Sequence, residues 1–160
     1  MIVTAYTKQQ VAAEELSAIV TTARQRLIAL GDWGIRRVST PGGWNAKQIM
    51  GHLLDSAANN HQRFVRLQHE NDVMFPTYDQ DAWVESQKYS DYHWPSLVNL
   101  WAAYNRHLAR LIGGIPDERL TNEWLTLDGP LTLEFLIDDY IRHVKHHLLQ
   151  IFPPRPETLN

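Results

Sequence analysis

The chain has 160 residues, of which 44% are hydrophobic, with a formal net charge of −3 and no cysteine. This length suits one domain with a single core, and the missing cysteine excludes disulfides, thiolate metal sites and a cysteine nucleophile. The slightly acidic balance argues against a nucleic-acid-binding protein, which needs a basic face. No apolar run reaches the roughly 20 residues that cross a bilayer, and the first residues lack a signal-peptide pattern. We therefore expect a cytoplasmic protein with neither a membrane nor a nucleic-acid partner.

The first predicted helix covers residues 8–30. Its apolar residues recur mostly at spacings of three and four, which is the period of one helix face. Thr7 and Gln10 form a capping-box pair that marks its start. The stretch that follows, GDWGIRRVSTPGGW, is rich in turn-forming residues and predicts a loop.

The second predicted helix begins after Asn45 and extends to about residue 70. Gln48, three residues after Asn45, completes a second capping box. Gly51 lies inside this helix, where glycine costs about 1 kcal/mol relative to alanine. That cost indicates the close approach of a neighbouring helix.

The second half of the chain adds two long helices and two connections. Residues 71–92 form a long connection with a short helix at 81–87, and the third long helix covers 94–112. Residues 117–131 form a further connection that can hold a small β-hairpin. The fourth long helix covers 132–152 and is stopped by a proline-rich stretch.

Together these segments predict an all-α fold, a four-helix bundle with a long crossover connection between its second and third helices. Each helix of roughly 20 residues spans about 30 Å, which is the length that such bundles use. We expect one domain over residues 1–152 and a loose C-terminal tail over residues 153–160.

Histidine is concentrated in the last predicted helix, where RHVKHHLL contains three of the eight histidines. His143 and His147 are four residues apart and leave the same helix face. Two imidazoles at this spacing bind one zinc ion in HExxH sites, but the glutamate of that motif is absent here. The zinc-protease interpretation therefore fails, and the alternatives are another metal site or a histidine pair without a metal.

The second helix carries matching polar residues on its apolar face. His52 lies between Ile49 and Leu53, and the residues that follow it on this side are Asp55, Ser56, Asn59 and Arg63. Polar side chains on an inward face need partners or a cavity. If the two faces meet across a pocket, three histidines and an open position form a catalytic type of metal site. The alternative for His52 alone is a hydrogen-bonded core histidine.

Three segments resemble motifs of the DinB/YfiT-like superfamily: GGWNAKQIMGHLLDSAANNHQRF, PTYDQDAWVES and the closing segment YIRHVKHHLLQI. They occur in the order of that family and cover nearly the whole chain. The resemblance implies a four-helix bundle, often dimeric, with a divalent metal on His52, His143 and His147. The YfiT branch often has a further histidine where this chain has Gln150.

The resemblance also implies a metal-dependent reaction on a small-molecule substrate. We expect transfer of a low-molecular-weight thiol such as bacillithiol or mycothiol, with hydrolysis at the same site or a non-catalytic, stress-related binding bundle as the alternatives. Three neutral imidazoles leave the ion its full charge, so a bound water or thiol loses its proton near neutral pH. Zn or Ni is the expected metal, with Fe and Mn as further candidates, and the expected partner is a second copy of the chain.

Five further residues are candidates for catalysis or for binding a cofactor. Asp55 and Asp81 are the candidate catalytic residues. The candidate cofactor-binding residues are Arg63, Tyr78 and Arg142, because Tyr78 belongs to the crossover connection and the two arginines suit carboxylates.

Overall fold

The computed structural model describes residues 6–154, and most of them are helical. Its α-helices are α1 Lys8–Ile28, α2 Asp32–Arg36, α3 Ala46–Arg66, α4 Gln80–Ser86, α5 Trp94–Gly113 and α6 Leu133–Ile151. The four long helices are α1, α3, α5 and α6; α1 packs against α5 and α6, and α3 packs against the same two helices. This arrangement confirms the predicted four-helix bundle.

Both predicted capping boxes are present. The side chain of Thr7 accepts a hydrogen bond from the backbone of Gln10 at the start of α1, and Asn45 and Gln48 make the same reciprocal pair at the start of α3. Each of these pairs satisfies backbone N–H groups that the first helical turn leaves without partners. The two long N-terminal helices therefore begin where local sequence chemistry places them.

The same two helices end earlier than predicted, α1 at Ile28 and α3 at Arg66. The carbonyl of Leu27 accepts from the indole Nε1 of Trp94 at 2.8 Å, and the carbonyl of Leu67 accepts from Asn122 Nδ2 at 2.6 Å. Side chains from distant segments thus bond to backbone carbonyl groups that would accept hydrogen bonds from the next turn if each helix continued.

The predicted loop after α1 contains the five-residue helix α2, which the sequence pattern did not indicate. The connection after α3 contains α4 as predicted and, in addition, a 3₁₀ turn at Tyr89–Asp91. Gly51 of α3 lies against the ring of Tyr89 in that turn. The close approach at Gly51 is therefore made by an aromatic ring of the connection rather than by another long helix.

The predicted hairpin is formed by β1 Glu123–Thr126 and β2 Gly129–Thr132, which pair antiparallel. Val73 of the crossover connection lies beside β1. Its N–H donates to Glu123 O at 3.2 Å, and its carbonyl accepts from Leu125 N at 2.9 Å. These two bonds fix the start of the connection to the hairpin that precedes α6.

Between residues 6 and 154, no helix combines the length and the apolar character that crossing a membrane requires. The predicted tail begins at residue 153, and its residues 155–160 lie outside the part that the structure describes. The division into a domain at 1–152 and a tail stays a prediction.

Candidate metal centre

The three histidines singled out in the sequence lie together between α3 and α6. Potential ligand nitrogens of His52, His143 and His147 all lie within 4.8 Å of one another. His52 Nε2 is 3.0 Å from His143 Nε2, and the ring of His147 lies 4.6 Å from that of His52, measured between centroids. Nitrogens that share one tetrahedral zinc ion at ordinary bond lengths are about 3.4 Å apart. The group therefore fits one ion with little rearrangement.

The bundle brings these rings together from two helices. His143 and His147 are one turn apart on α6, and His52 faces them from α3 with only 2% of its surface exposed. The ring of Trp44, just before the cap of α3, lies 4.9 Å from that of His52 and 6.5 Å from that of His147. Trp44 thus covers one side of the group, a role that the sequence reasoning did not assign to it. The only sequence signal was its position beside the α3 cap.

Two of the rings have hydrogen-bond partners that orient them. Gln150 Oε1 lies 2.9 Å from Nδ1 of His147, so this nitrogen donates to the amide oxygen and Nε2 keeps its lone pair for a metal. Ser56 Oγ lies 3.3 Å from Nδ1 of His143. His52 Nδ1 is buried and has no hydrogen-bond partner among the described residues. Nε2 of His143 thus faces His52, and Nε2 of His147 is left free by the bond that its Nδ1 makes, as binding of one ion requires.

Burial also sets the protonation state of the group. Burial first, and then the neighbouring histidines, together lower the pKa of His52 to about 3 and that of His143 to about 4. Burial lowers the pKa of His147 as well. All three rings are therefore neutral at physiological pH, which is the state that a metal ligand must have.

The two candidate catalytic carboxylates have different surroundings. Asp55 is buried, and its Oδ1 accepts from Tyr89 OH at 2.7 Å and from Gln87 Nε2 at 2.8 Å. Burial raises the pKa of this carboxyl, and its Oδ2 has no partner among the described residues. Asp81 is exposed and lines a cavity of about 320 Å³ together with Trp44 and His147. The structure therefore brings Asp81 beside the histidine group and ties Asp55 to the connection.

The three candidate cofactor-binding residues also differ. Arg63 is half-buried, and its guanidinium lies 4.1 Å from the ring centroid of Trp124. The ring of Tyr78 packs against Trp83 of α4 at 4.7 Å between centroids. Arg142 is exposed and forms an ion pair with Asp139 at 2.8 Å. Arg63 is thus the arginine of the two that has no carboxylate partner in residues 6–154.

Comparisons with known proteins show which sequences and structures this chain is similar to. Residues 10–151 match a family model described as the DinB superfamily. A Halalkalibacterium halodurans protein named "Putative metal-dependent hydrolase" is 26% identical over 139 residues, covering 82% of this chain and 80% of the relative. YfiT of Bacillus subtilis bears the same description and is 32% identical over 115 residues, or 69% of this chain and 63% of YfiT.

A solved structure gives the same fold. It is described as "YfiT from Bacillus subtilis is a probable metal-dependent hydrolase with an unusual four-helix bundle topology". It matches with a TM-score of 0.83 at 21% identity, covering 95% of this chain and 88% of that structure.

Proposed function

This chain belongs to the DinB superfamily, and we propose that it is a metal-dependent enzyme whose His52, His143 and His147 bind one divalent ion. The observation that carries the proposal is the convergence of three neutral imidazoles from α3 and α6, with ligand nitrogens within 4.8 Å of one another. Relatives that are named as metal-dependent support it. Zinc and nickel both suit an imidazole set, and iron or manganese are the further candidates.

When bound, such an ion supplies a Lewis acid that lowers the pKa of a thiol or water in its open position. The residues of this chain form the surroundings of that ion. Trp44 covers the group on one side and restricts water, and the cavity beside His147, about 320 Å³, has room for a small substrate. Asp81 adds a negative charge to the wall of that cavity.

We favour thiol transfer because of what surrounds the three rings. Among the described residues, no carboxylate hydrogen-bonds to any of them, and the carboxylate on the cavity wall, Asp81, is exposed rather than held against the rings as the glutamate base of the HExxH hydrolases is held beside their metal. An ion held by the three histidines would lower the pKa of a thiol far enough that the thiol needs no such base. In the transfer, the new carbon–sulfur bond would form as the bond from that carbon to its leaving group breaks, and the thiol proton would pass to water. Hydrolysis is the second candidate, and the names of the relatives favour it.

Metal titration tests the site itself. Protein purified without a nickel column and stripped with a chelator should take up one zinc or nickel ion per chain. His52→Ala should lose this binding, and His146→Ala, which removes an exposed ring of the same helix, should keep it. Full affinity in His52→Ala would refute the proposed ligand set.

A thiol-conjugation assay tests the reaction. The metal-loaded protein is mixed with 1-chloro-2,4-dinitrobenzene and cysteine, glutathione or bacillithiol, and release of the thioether is followed by absorbance. Turnover that needs both metal and thiol supports transfer. Ester cleavage that needs metal alone supports hydrolysis, and metal binding without either reaction supports the non-catalytic alternative. The homodimer stays a prediction, which sedimentation of the metal-loaded protein checks.

A further inference from the structure

A second cavity lies between α3 and the connection that follows it, with a volume of about 310 Å³. Its polar wall is the C-terminal part of α3, and its apolar wall is the start of the connection. The residues on the polar wall are Asn59, Gln62, Arg63 and Arg66, and those on the apolar wall are Val73, Met74, Phe75 and Pro76. Of the residues that the structure describes, two arginines and no acidic residue therefore line this cavity.

Both arginines bond to neutral amides rather than to carboxylates. Arg63 Nη1 donates to Asn60 Oδ1 at 3.3 Å, and Arg66 Nε donates to Gln62 Oε1 at 3.2 Å. The ion pairs of residues 6–154 include neither arginine. The carboxylate of Asp139 favours the charged form of Arg63 without forming an ion pair with it. The ion-pair partner of Asp139 is Arg142.

Arg63 is the more enclosed of the two. Its guanidinium stacks over the ring of Trp124, and burial lowers its pKa, although an arginine stays charged in a protein. A cation withdrawn from water is costly unless a counter-charge is present. The planar fork of a guanidinium has five N–H donors and binds carboxylate or phosphate through two of them at once.

We propose that this cavity binds an acidic group, a carboxylate or a phosphate, of a small molecule. Arg63 holds the acidic group, Arg66 adds a second positive charge at the exposed edge, and Phe75 and Pro76 contact the carbon part of the same molecule.

Hydrogen bonds link the cavity to the histidine group. Arg63 donates to Asn60, Asn60 Nδ2 donates to Ser56 Oγ at 3.3 Å, and Ser56 Oγ bonds to His143. Arg63 and His52 are eleven residues apart on α3, or about 16 Å along its axis. This spacing places an acidic group bound at Arg63 well away from the three histidines, so the two sites can be tested separately.

Calorimetric titration of the metal-free protein with succinate and with inorganic phosphate tests the proposal. Arg63→Gln should weaken binding about 10- to 100-fold, which is the loss of charge-assisted hydrogen bonds. Arg63→Lys keeps the positive charge but lacks the paired N–H donors of the guanidinium, so it should weaken anion binding less than Arg63→Gln does. The matched control is Arg24→Gln, because Arg24 Nε also donates to an amide, Asn99 Oδ1 at 3.0 Å, on an exposed surface. This control should bind as the wild type does.

His52→Ala separates this proposal from the proposed function, since it should lose the metal and keep the anion site. Binding of either anion to wild type and to His52→Ala, but not to Arg63→Gln, supports the cavity even if no metal-dependent reaction is found. Anion binding that needs added metal would place the anion at the histidines and overturn the proposal. Absence of binding to the wild type, or equal binding to Arg63→Gln, would overturn it as well.

Discussion

Gly51→Ala should destabilise the protein, although it replaces glycine with the best helix former. A Cβ at this position would lie 2.0 Å from Cδ2 and 2.2 Å from Cγ of Tyr89, so the ring must move by more than an ångström. The hydroxyl of that ring donates to Asp55 Oδ1 at 2.7 Å, and the movement breaks this bond. Overpacking costs about 1–3 kcal/mol, the lost bond to a carboxylate costs about 1.5–3 kcal/mol, and helix propensity returns about 1 kcal/mol. The net loss is about 3 kcal/mol.

Urea unfolding followed by circular dichroism measures this loss. The control is the same substitution in a Tyr89→Ala background, where the ring is gone and the added methyl group has space. There Gly51→Ala should stabilise the protein by about 1 kcal/mol, since only the helix propensity remains. An equal loss in both backgrounds would show that the contact with Tyr89 is not the reason for glycine at this position.

Three further predictions concern the histidine group. Ser56→Ala should weaken zinc binding about 5- to 10-fold in competition with a chelating dye, because it removes one long neutral hydrogen bond of about 1 kcal/mol from His143; an unchanged affinity would refute that role. Zinc binding at pH 6, measured by calorimetry in two buffers, should release fewer than one proton, since the pKa values of His52 and His143 are about 3 and about 4. Three ordinary histidines would release about two. Finally, the free energy of unfolding of the metal-free protein should fall as the pH falls below about 6.5. The histidines of the unfolded chain then become protonated, whereas the buried rings of His52 and His143 stay neutral until about pH 3 and about pH 4. Between pH 6.5 and 5 the free energy of unfolding of the wild type should fall by up to about 1.4 kcal/mol per pH unit more than that of His52→Gln. Parallel curves of unfolding free energy against pH for the two proteins would contradict this.

Features that depend on neighbouring residues were predictable from the sequence. The capping boxes at Thr7 and Asn45 involve partners three residues away, and the pairing of His143 with His147 follows from helical geometry alone. His52 stood out because imidazole interrupts an apolar stripe. That α3 and α6 bring these three rings together needed the resemblance to a known family.

Features that depend on tertiary approach were not predictable. The hydroxyl that meets Asp55 comes from Tyr89, 34 residues later, and nothing near either residue indicates the other. The bond from Ser56 to His143 exists only because α6 packs beside α3. The same holds for Arg63, because only the fold shows that no carboxylate of residues 6–154 forms an ion pair with it.

The connection between α3 and α5 is attached to the rest of the fold near both of its ends. Main-chain bonds of Val73 attach its start to β1, and Tyr89, packed on Gly51, attaches its end to α3. Between these points lies α4, with Asp81 facing the cavity beside His147. Because main-chain pairing at Val73 requires no particular side chain, the exposed residues of the intervening stretch can change while both attachments and the buried Val84 of α4 stay. The residue at position 81, on the wall of that cavity, can thus vary without disturbing the helices that carry the imidazoles.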